Sequence, residues 1–337
     1  MSPAAPAPPP VSRTGPQLEW VASRYADVEE VLSDCRLGVP QASDEGPEGS
    51  IGWLRRSVSR FANGDEHLRR RALAEAEIAK LDPPTLYAIA KRRATARLKS
   101  ARRGERIDVM EVAARTVPVT ALAELMGVAE PERVAEAVLD ASGAYFGGAG
   151  ENAAAVADAA VSQLVELLSP GDLDVVVARL SVLIQTCDAT AGLIGPAVLA
   201  LADHPSAGAV TTELLLKEVL RHSPMLLASR RVALTEVAVG AATVQAGEIV
   251  ICSVERANRD PQVFAHADTF DPGRHGPRNM TFGTGYRPCP GEAQAMMLAA
   301  AVVDAVRELC VVEPAQHVDY APPPGLRIPL RVEAVLR

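Results

Sequence analysis

The chain is predicted to be mainly α-helical with small β-sheets, built as a single domain. Apolar residues recur at helical spacing through most of 53–202. Short β-like runs come late, near 231–233, 237–239 and 248–252. No repeat is visible, strands and helices do not alternate as a parallel sheet would require, and no internal linker stands out.

The elements follow in order. Residues 1–17 are rich in proline and alanine and lack the basic-then-apolar layout of a signal peptide, so they are expected to form a disordered tail ahead of a domain at 18–337. A strand-like start leads into 25–32, whose apolar spacing suits an amphipathic helix, and a loop rich in turn-formers covers 40–52. Helices are then expected at 53–60, 65–82, 84–103, 108–127, 130–146, 152–168 and 172–202. The last is long and apolar and should run through the centre of the fold, with Pro196 ending or kinking it. Another helix covers 211–222, and a loop-rich meander spans 258–288. A helix at 292–309 precedes a terminal hairpin that contains 322–325.

The bulk numbers narrow the function classes. A formal net charge of −8 and 4% aromatic residues argue against nucleic-acid binding, which needs a basic surface and stacking platforms. Five cysteines, at 35, 187, 252, 289 and 310, form neither a disulfide framework nor a zinc pattern and suit a reducing compartment. Without an uninterrupted run of 18 apolar residues, no membrane span is expected, and a cytoplasmic protein is.

The most specific stretch is Phe282-Gly-Thr-Gly-Tyr-Arg-Pro-Cys-Pro-Gly291, which reads F-x-x-G-x-R-x-C-x-G ahead of a helix-forming run. Its glycines permit positive φ and close backbone approach. Pro288 and Pro290 stiffen the chain on both sides of Cys289 and remove two amide donors. A lone cysteine is most often an inert buried thiol. Here phenylalanine, glycines, arginine and cysteine all sit at fixed offsets, and the pattern resembles the haem-ligand loop of the cytochrome P450 family.

That resemblance extends from about residue 20 to the C-terminus and is specific from His67 onward. It implies haem b as cofactor, with Cys289 as the iron ligand and Phe282 and Arg287 beside it. His67 and Arg71, at i and i+4 on one helix face, look like the family's propionate clamp, with Arg231 as a further propionate contact. Glu218 and Arg221, three apart on a helix, with the later Arg274, resemble its structural triad and are assigned to locking the cysteine loop. The stretch 258–261 (Asn-Arg-Asp-Pro) is given a structural role.

The long helix departs from the family pattern. Where an acid followed by an alcohol is usual, this sequence has Asp188 then Ala189, with Thr190 rotated about 100° further round. Gln185 replaces a small residue, and Gln185 or Thr186 is a candidate to hold a relay water. The alternative is that Asp188 and Gln185 satisfy the local helix backbone.

The resemblance thus implies a haem-thiolate monooxygenase acting on a small-molecule or carrier-tethered substrate, with a ferredoxin-type electron donor and a role in secondary metabolism. The alternative is a haem-binding protein of the same fold, a ligand-binding or carrier-docking module without productive O2 activation. Trp53, Leu54, Met225, Leu226, Leu227, Leu326 and Arg327 are the pocket candidates. The basic run 91–103 is expected to be a solvated helix face.

Overall fold

The computed structural model describes residues 10–14, 19–43, 45–147, 150–169, 171–321 and 326–337. The chain opens with β1 (Ser12–Thr14), β2 (Glu19–Ala22), α1 (Tyr25–Ser33) and β3 (Leu37–Gly38). Helices α2 (Ile51–Ser57), α3 (Gly64–Ile78) and α4 (Pro83–Leu98) follow, then β4 (Arg106–Asp108). Next come α5 (Val117–Leu125), α6 (Pro131–Tyr145), α7 (Glu151–Leu168), α8 (Leu173–Asp203) and α9 (Thr212–His222). Strands β5 (Ala228–Ala233), β6 (Val237–Val239), β7 (Ala242–Val244) and β8 (Ile249–Ser253) precede the short α10 (Val254–Ala257). The chain closes with α11 (Glu292–Leu309), β9 (Cys310–Val312) and β10 (Glu333–Leu336).

These elements form two compact units, each made of two separate stretches: 1–40 with 206–289, and 41–205 with 290–337. Neither unit is continuous in sequence, so no linker marks a boundary.

In the first unit a five-stranded sheet has the order β1-β2-β8-β5-β3. β2 and β8 are parallel, while β5 pairs antiparallel with both β8 and β3. Its core gathers Val28, Val31 and Leu32 of α1 with Val250 and Cys252 of β8 and Met280 of the meander. Three residues of the expected tail, Ser12–Thr14, pair with β2, while 1–9 and 15–17 lie outside the described residues. β6 and β7 form a separate hairpin.

The second unit is a helical stack on α8, against which α3, α5, α6, α7 and α11 pack. Pro196 does not end α8, which continues to Asp203. The residues around it, Gly192 to Ala200, are almost all buried. Their packing outweighs the single backbone hydrogen bond that proline forfeits. α8 is long and apolar enough to cross a membrane by composition, but 67% of its most apolar window is buried inside the fold.

The helix expected over 108–127 is broken. Arg106–Asp108 pairs with β10, a single π turn spans Met110–Ala114, and α5 starts only at Val117 ahead of Pro118. Pro118 lacks an amide hydrogen and suits a first turn, so the helix restarts there. The terminal hairpin closes as the bridge between Tyr320 and Pro329, and the 322–325 turn lies outside the described residues. β10 in turn joins β4 to β9 in a three-stranded sheet.

Candidate functional site

In the first unit the cysteine loop turns back on itself. Gly283 N donates to Met280 O at 2.9 Å and Cys289 N donates to Phe282 O at 2.7 Å, so the loop is closed by its own backbone. Gly285 has φ +66°, and a Cβ there would stand 2.4 Å from both Cα and Oγ of Ser33. Only glycine permits that backbone conformation and that approach together. Tyr286 N donates to Leu32 O at 3.0 Å, pinning the loop to the end of α1. Phe282 is buried under the loop, Arg287 is half-buried with its guanidinium over the Tyr286 ring, and Cys289 is exposed.

Beneath this loop lies a buried polar network. Arg221 Nε and Nη2 donate to the two carboxylate oxygens of Glu218 at 2.9 and 2.6 Å, and both residues are under 5% exposed. Arg221 also donates to the carbonyls of Asn258, Ala267 and Thr269, and Asp271 N donates to Glu218 at 2.8 Å. Arg274 Nε lies 3.6 Å from Glu218, while its remaining donors reach the carbonyls of Ala265, His266 and Thr269. Asn258 extends the network, with its Oδ1 accepting from Met280 N at 2.7 Å and its Nδ2 donating to Thr281 Oγ1 at 3.0 Å. Thr281 Oγ1 donates to Leu220 O at 2.6 Å. The chain from Glu218 thus ends on the residue before Phe282, which is how a helix and a turn position the cysteine loop.

Arg231 sits on β5 opposite Val250, and its Nη1 donates to Arg230 O at 3.0 Å.

The other site residues belong to the second unit. His67 and Arg71 lie one turn apart on α3, whose N-cap is Asn63. His67 is 4% exposed, with Nδ1 3.0 Å from Ser59 O, so it is a buried histidine. Arg71 Nε donates to Glu75 at 2.6 Å. On α8, Gln185, Thr186 and Thr190 each hydrogen-bond a carbonyl four residues back, at 3.0, 2.8 and 2.7 Å. Asp188 makes no such bond. Burial holds its carboxyl above the usual carboxylate range, and the charge of Arg115 opposes that only in part.

Some of this was not visible in the sequence. Arg115 follows the π turn and reaches Asp188 only because that turn packs on α8, where a Cβ on Gly195 would meet Met110 Sδ at 3.0 Å. Of the pocket candidates, Leu54 is fully buried core and Arg327 stacks on Tyr320 at 4.4 Å. The run at 91–103 is less solvated than expected. Lys91 pairs with Glu308, Arg92 with Glu124, and Arg93 with Glu124 and Glu132.

The donor set separates Cys289 from the other thiols. Burial pushes Cys187 up to about 12 and Cys252 up to about 11, and raises Cys310 as well, so all three stay protonated at neutral pH. Cys35 is exposed but follows α1 with no loop built around it. Cys289 alone combines exposure with a glycine-shaped, network-backed loop, which fits a metal ligand.

The cytochrome P450 family model matches residues 211–324, which spans the Glu218–Arg221 helix, the meander and the cysteine loop. The chain is similar to cytochrome P450 CYP105Q4 of Mycobacterium marinum, 29% identical over 82% of this chain and 76% of that one. It is also similar to pentalenolactone synthase of Streptomyces exfoliatus, 26% identical over 87% of this chain and 83% of that one. Among solved structures it matches P450BioI in complex with an acyl carrier protein carrying hexadec-9Z-enoic acid. That match has a TM-score of 0.82 at 18% identity over 97% of this chain and 94% of that one, which shows the fold.

These findings support a bacterial cytochrome P450. They support a monooxygenase, an enzyme of a family whose cofactor is a haem held by a thiolate.

Proposed function

We propose that residues 18–337 form one haem domain that oxidises a secondary-metabolite intermediate, by hydroxylation, epoxidation or oxidative coupling. The observation that carries this reading is the Cys289 loop, which presents an accessible thiol, is closed by its own backbone and is backed by the Glu218 network. The breadth of the matches, 97% of this chain on a solved P450, supports the single domain. The names of relatives such as pentalenolactone synthase support the pathway class.

In this proposal Cys289 binds the iron of haem b, and the buried Phe282 packs beside it. His67, Arg71, Arg231 and Arg287 offset the two propionate charges. The haem, once bound, supplies the O2 activation, and a separate ferredoxin-type partner supplies the electrons.

What this chain contributes is the control of protons. Asp188 is the one polar group among the α8 candidates not committed to a helix carbonyl, and burial raises its affinity for a proton, which suits a proton donor. Gln185 and Thr186 have each given a donor to the helix but keep oxygens that accept, so they can hold a water for Asp188 to protonate. The hydroxyl of Thr190 is buried and turned back, and Ala189 offers none.

The substrate is a small molecule or one tethered to a carrier. An acyl carrier protein occupies P450BioI, a chain of the same fold, and this supports the tethered form.

The test is the reduced carbonyl spectrum together with turnover. The wild type should show the long-wavelength band of a thiolate ligand, and Cys289→Ser should lose it. Coupled NADPH use and an oxygenated product with a reconstituted ferredoxin chain should follow. A variant that keeps the band places the sulfur donor elsewhere. Haem uptake without coupled turnover supports the non-catalytic haem-binding reading.

A further inference from the structure

Helix α9 holds the meander by more than the Glu218–Arg221 pair. Its last turn catches three consecutive meander carbonyls. Arg221 donates to those of Ala267 at 2.6 Å and Thr269 at 3.0 Å, and His222 Nε2 lies 3.2 Å from that of Asp268 between them. Two residues further on, Asp271 N donates back to Glu218 at 2.8 Å. The Arg259 guanidinium spans the same contact, donating to His222 O at 2.7 Å and to Asp268 Oδ1 at 3.1 Å. The His222 ring also makes a T-shaped contact with Phe270, with centroids 5.5 Å apart.

These partners decide which protonation state of the ring fits. A carbonyl only accepts, so Nε2 carries the hydrogen directed at Asp268. In the neutral ring Nδ1 is then the acceptor, and the Ser223 hydroxyl, 3.1 Å away, donates to it. A second proton would turn Nδ1 into a donor and set a third cation beside Arg221 and Arg259. The Asp268 carbonyl and Glu218 favour that cation, but burial, Arg259 and Arg221 outweigh them and lower the ring's affinity for a proton. The Asp268 carboxylate is exposed and pairs with Arg259. The seat of the meander reaches the cysteine loop because Arg221 also holds Asn258 O, and Asn258 hands the network on to Met280 and Thr281.

We infer that His222 is a positioning residue for the cysteine loop: its neutral ring completes the seat of 267–271 on α9, and protonating it loosens that seat. The inference deepens the P450 reading and rests on it for the role of the loop. A ring that binds its proton less tightly when folded contributes stability that is present above the unfolded value, about pH 6.5, and lost as pH falls through the folded one.

The test compares wild-type holoenzyme with His222→Gln and His222→Leu from about pH 7.5 down to about pH 5. Glutamine can donate to the Asp268 carbonyl without titrating, whereas leucine cannot donate. Each protein is read by its reduced carbonyl band and by urea unfolding in circular dichroism. As pH falls, the unfolding constant of the wild type should rise relative to His222→Gln, by at most about tenfold per pH unit, with the band lost in step. Comparison with His222→Gln cancels the other titrating groups, Asp188 included. His222→Leu should lose part of the band already at the upper pH, where His222→Gln keeps it. Coincident pH profiles in wild type and His222→Gln, or a leucine variant with a full band, overturn the inference. So does a wild type that acid stabilises relative to His222→Gln, since the cation would then be the holding form. A wild type with no band at any pH overturns the P450 reading instead, and the urea comparison still decides the role of His222.

Discussion

Replacing Glu218 with alanine tests the claim that a buried network sets the cysteine loop. The substitution removes both acceptors of the paired Arg221 bonds at 2.9 and 2.6 Å and the acceptor for Asp271 N at 2.8 Å. It leaves Arg221, 2% exposed, without a counter-charge. Breaking a buried pair in this way costs about 3–5 kcal/mol. Arg221 keeps its bonds to the carbonyls of Asn258, Ala267 and Thr269, so the stranded charge is partly solvated by the protein. That places the expected loss at the lower end, about 3 kcal/mol. Urea unfolding followed by circular dichroism measures it. The carbonyl band, read along the same titration, should fail before the helices do, because Asn258 passes the network to Met280 and Thr281 just ahead of the loop. Replacing Glu218 and Arg221 together by leucine and methionine should recover part of the loss, since an apolar pair leaves no charge buried. A loss of less than about 1 kcal/mol in Glu218→Ala, with the band intact, refutes the locking role.

Four further outcomes follow from the same geometry. Gly285→Ala forces a side chain into Ser33 at positive φ and should cost about 1–3 kcal/mol with lowered haem incorporation, whereas Gly276→Ala, with nothing within 4 Å, should leave the haem content unchanged. Gly143→Ala, inside α6 with open space at its Cβ, should raise stability by about 0.5–1 kcal/mol in the urea midpoint. Asp188 binds its proton more tightly when folded than when unfolded, so its contribution to stability is fully present below the unfolded value and is lost as pH rises through the raised folded one. Asp188→Asn should therefore be more stable than the wild type above that window and lack its pH dependence, while coupled turnover falls. His67→Ala should speed haem transfer to an excess of haem-free globin roughly tenfold, a loss on the scale of one hydrogen bond to a charged group.

How much of this was legible in the sequence varies with the range of the interactions. α11 and β6 fall where periodicity and β-branched residues place them, because local spacing alone decides them. The break between Arg106 and Val117 could not be read, since β4 exists only by pairing with β10, more than two hundred residues away. The burial of His67 is not written in its own helix, since its ring meets the Ser59 carbonyl of the preceding turn.

By itself, the sequence determined the helical class, the spacing of the cysteine loop and the Glu218–Arg221 pair, because each is written in local spacing along the chain. Tertiary structure alone decided that Glu218 and Arg221 are buried rather than solvated and that burial raises the Asp188 carboxyl above the usual carboxylate range. The physical reason is desolvation. The strength of a charge or a hydroxyl depends on how much water its distant neighbours exclude, and those neighbours are brought together only by the fold.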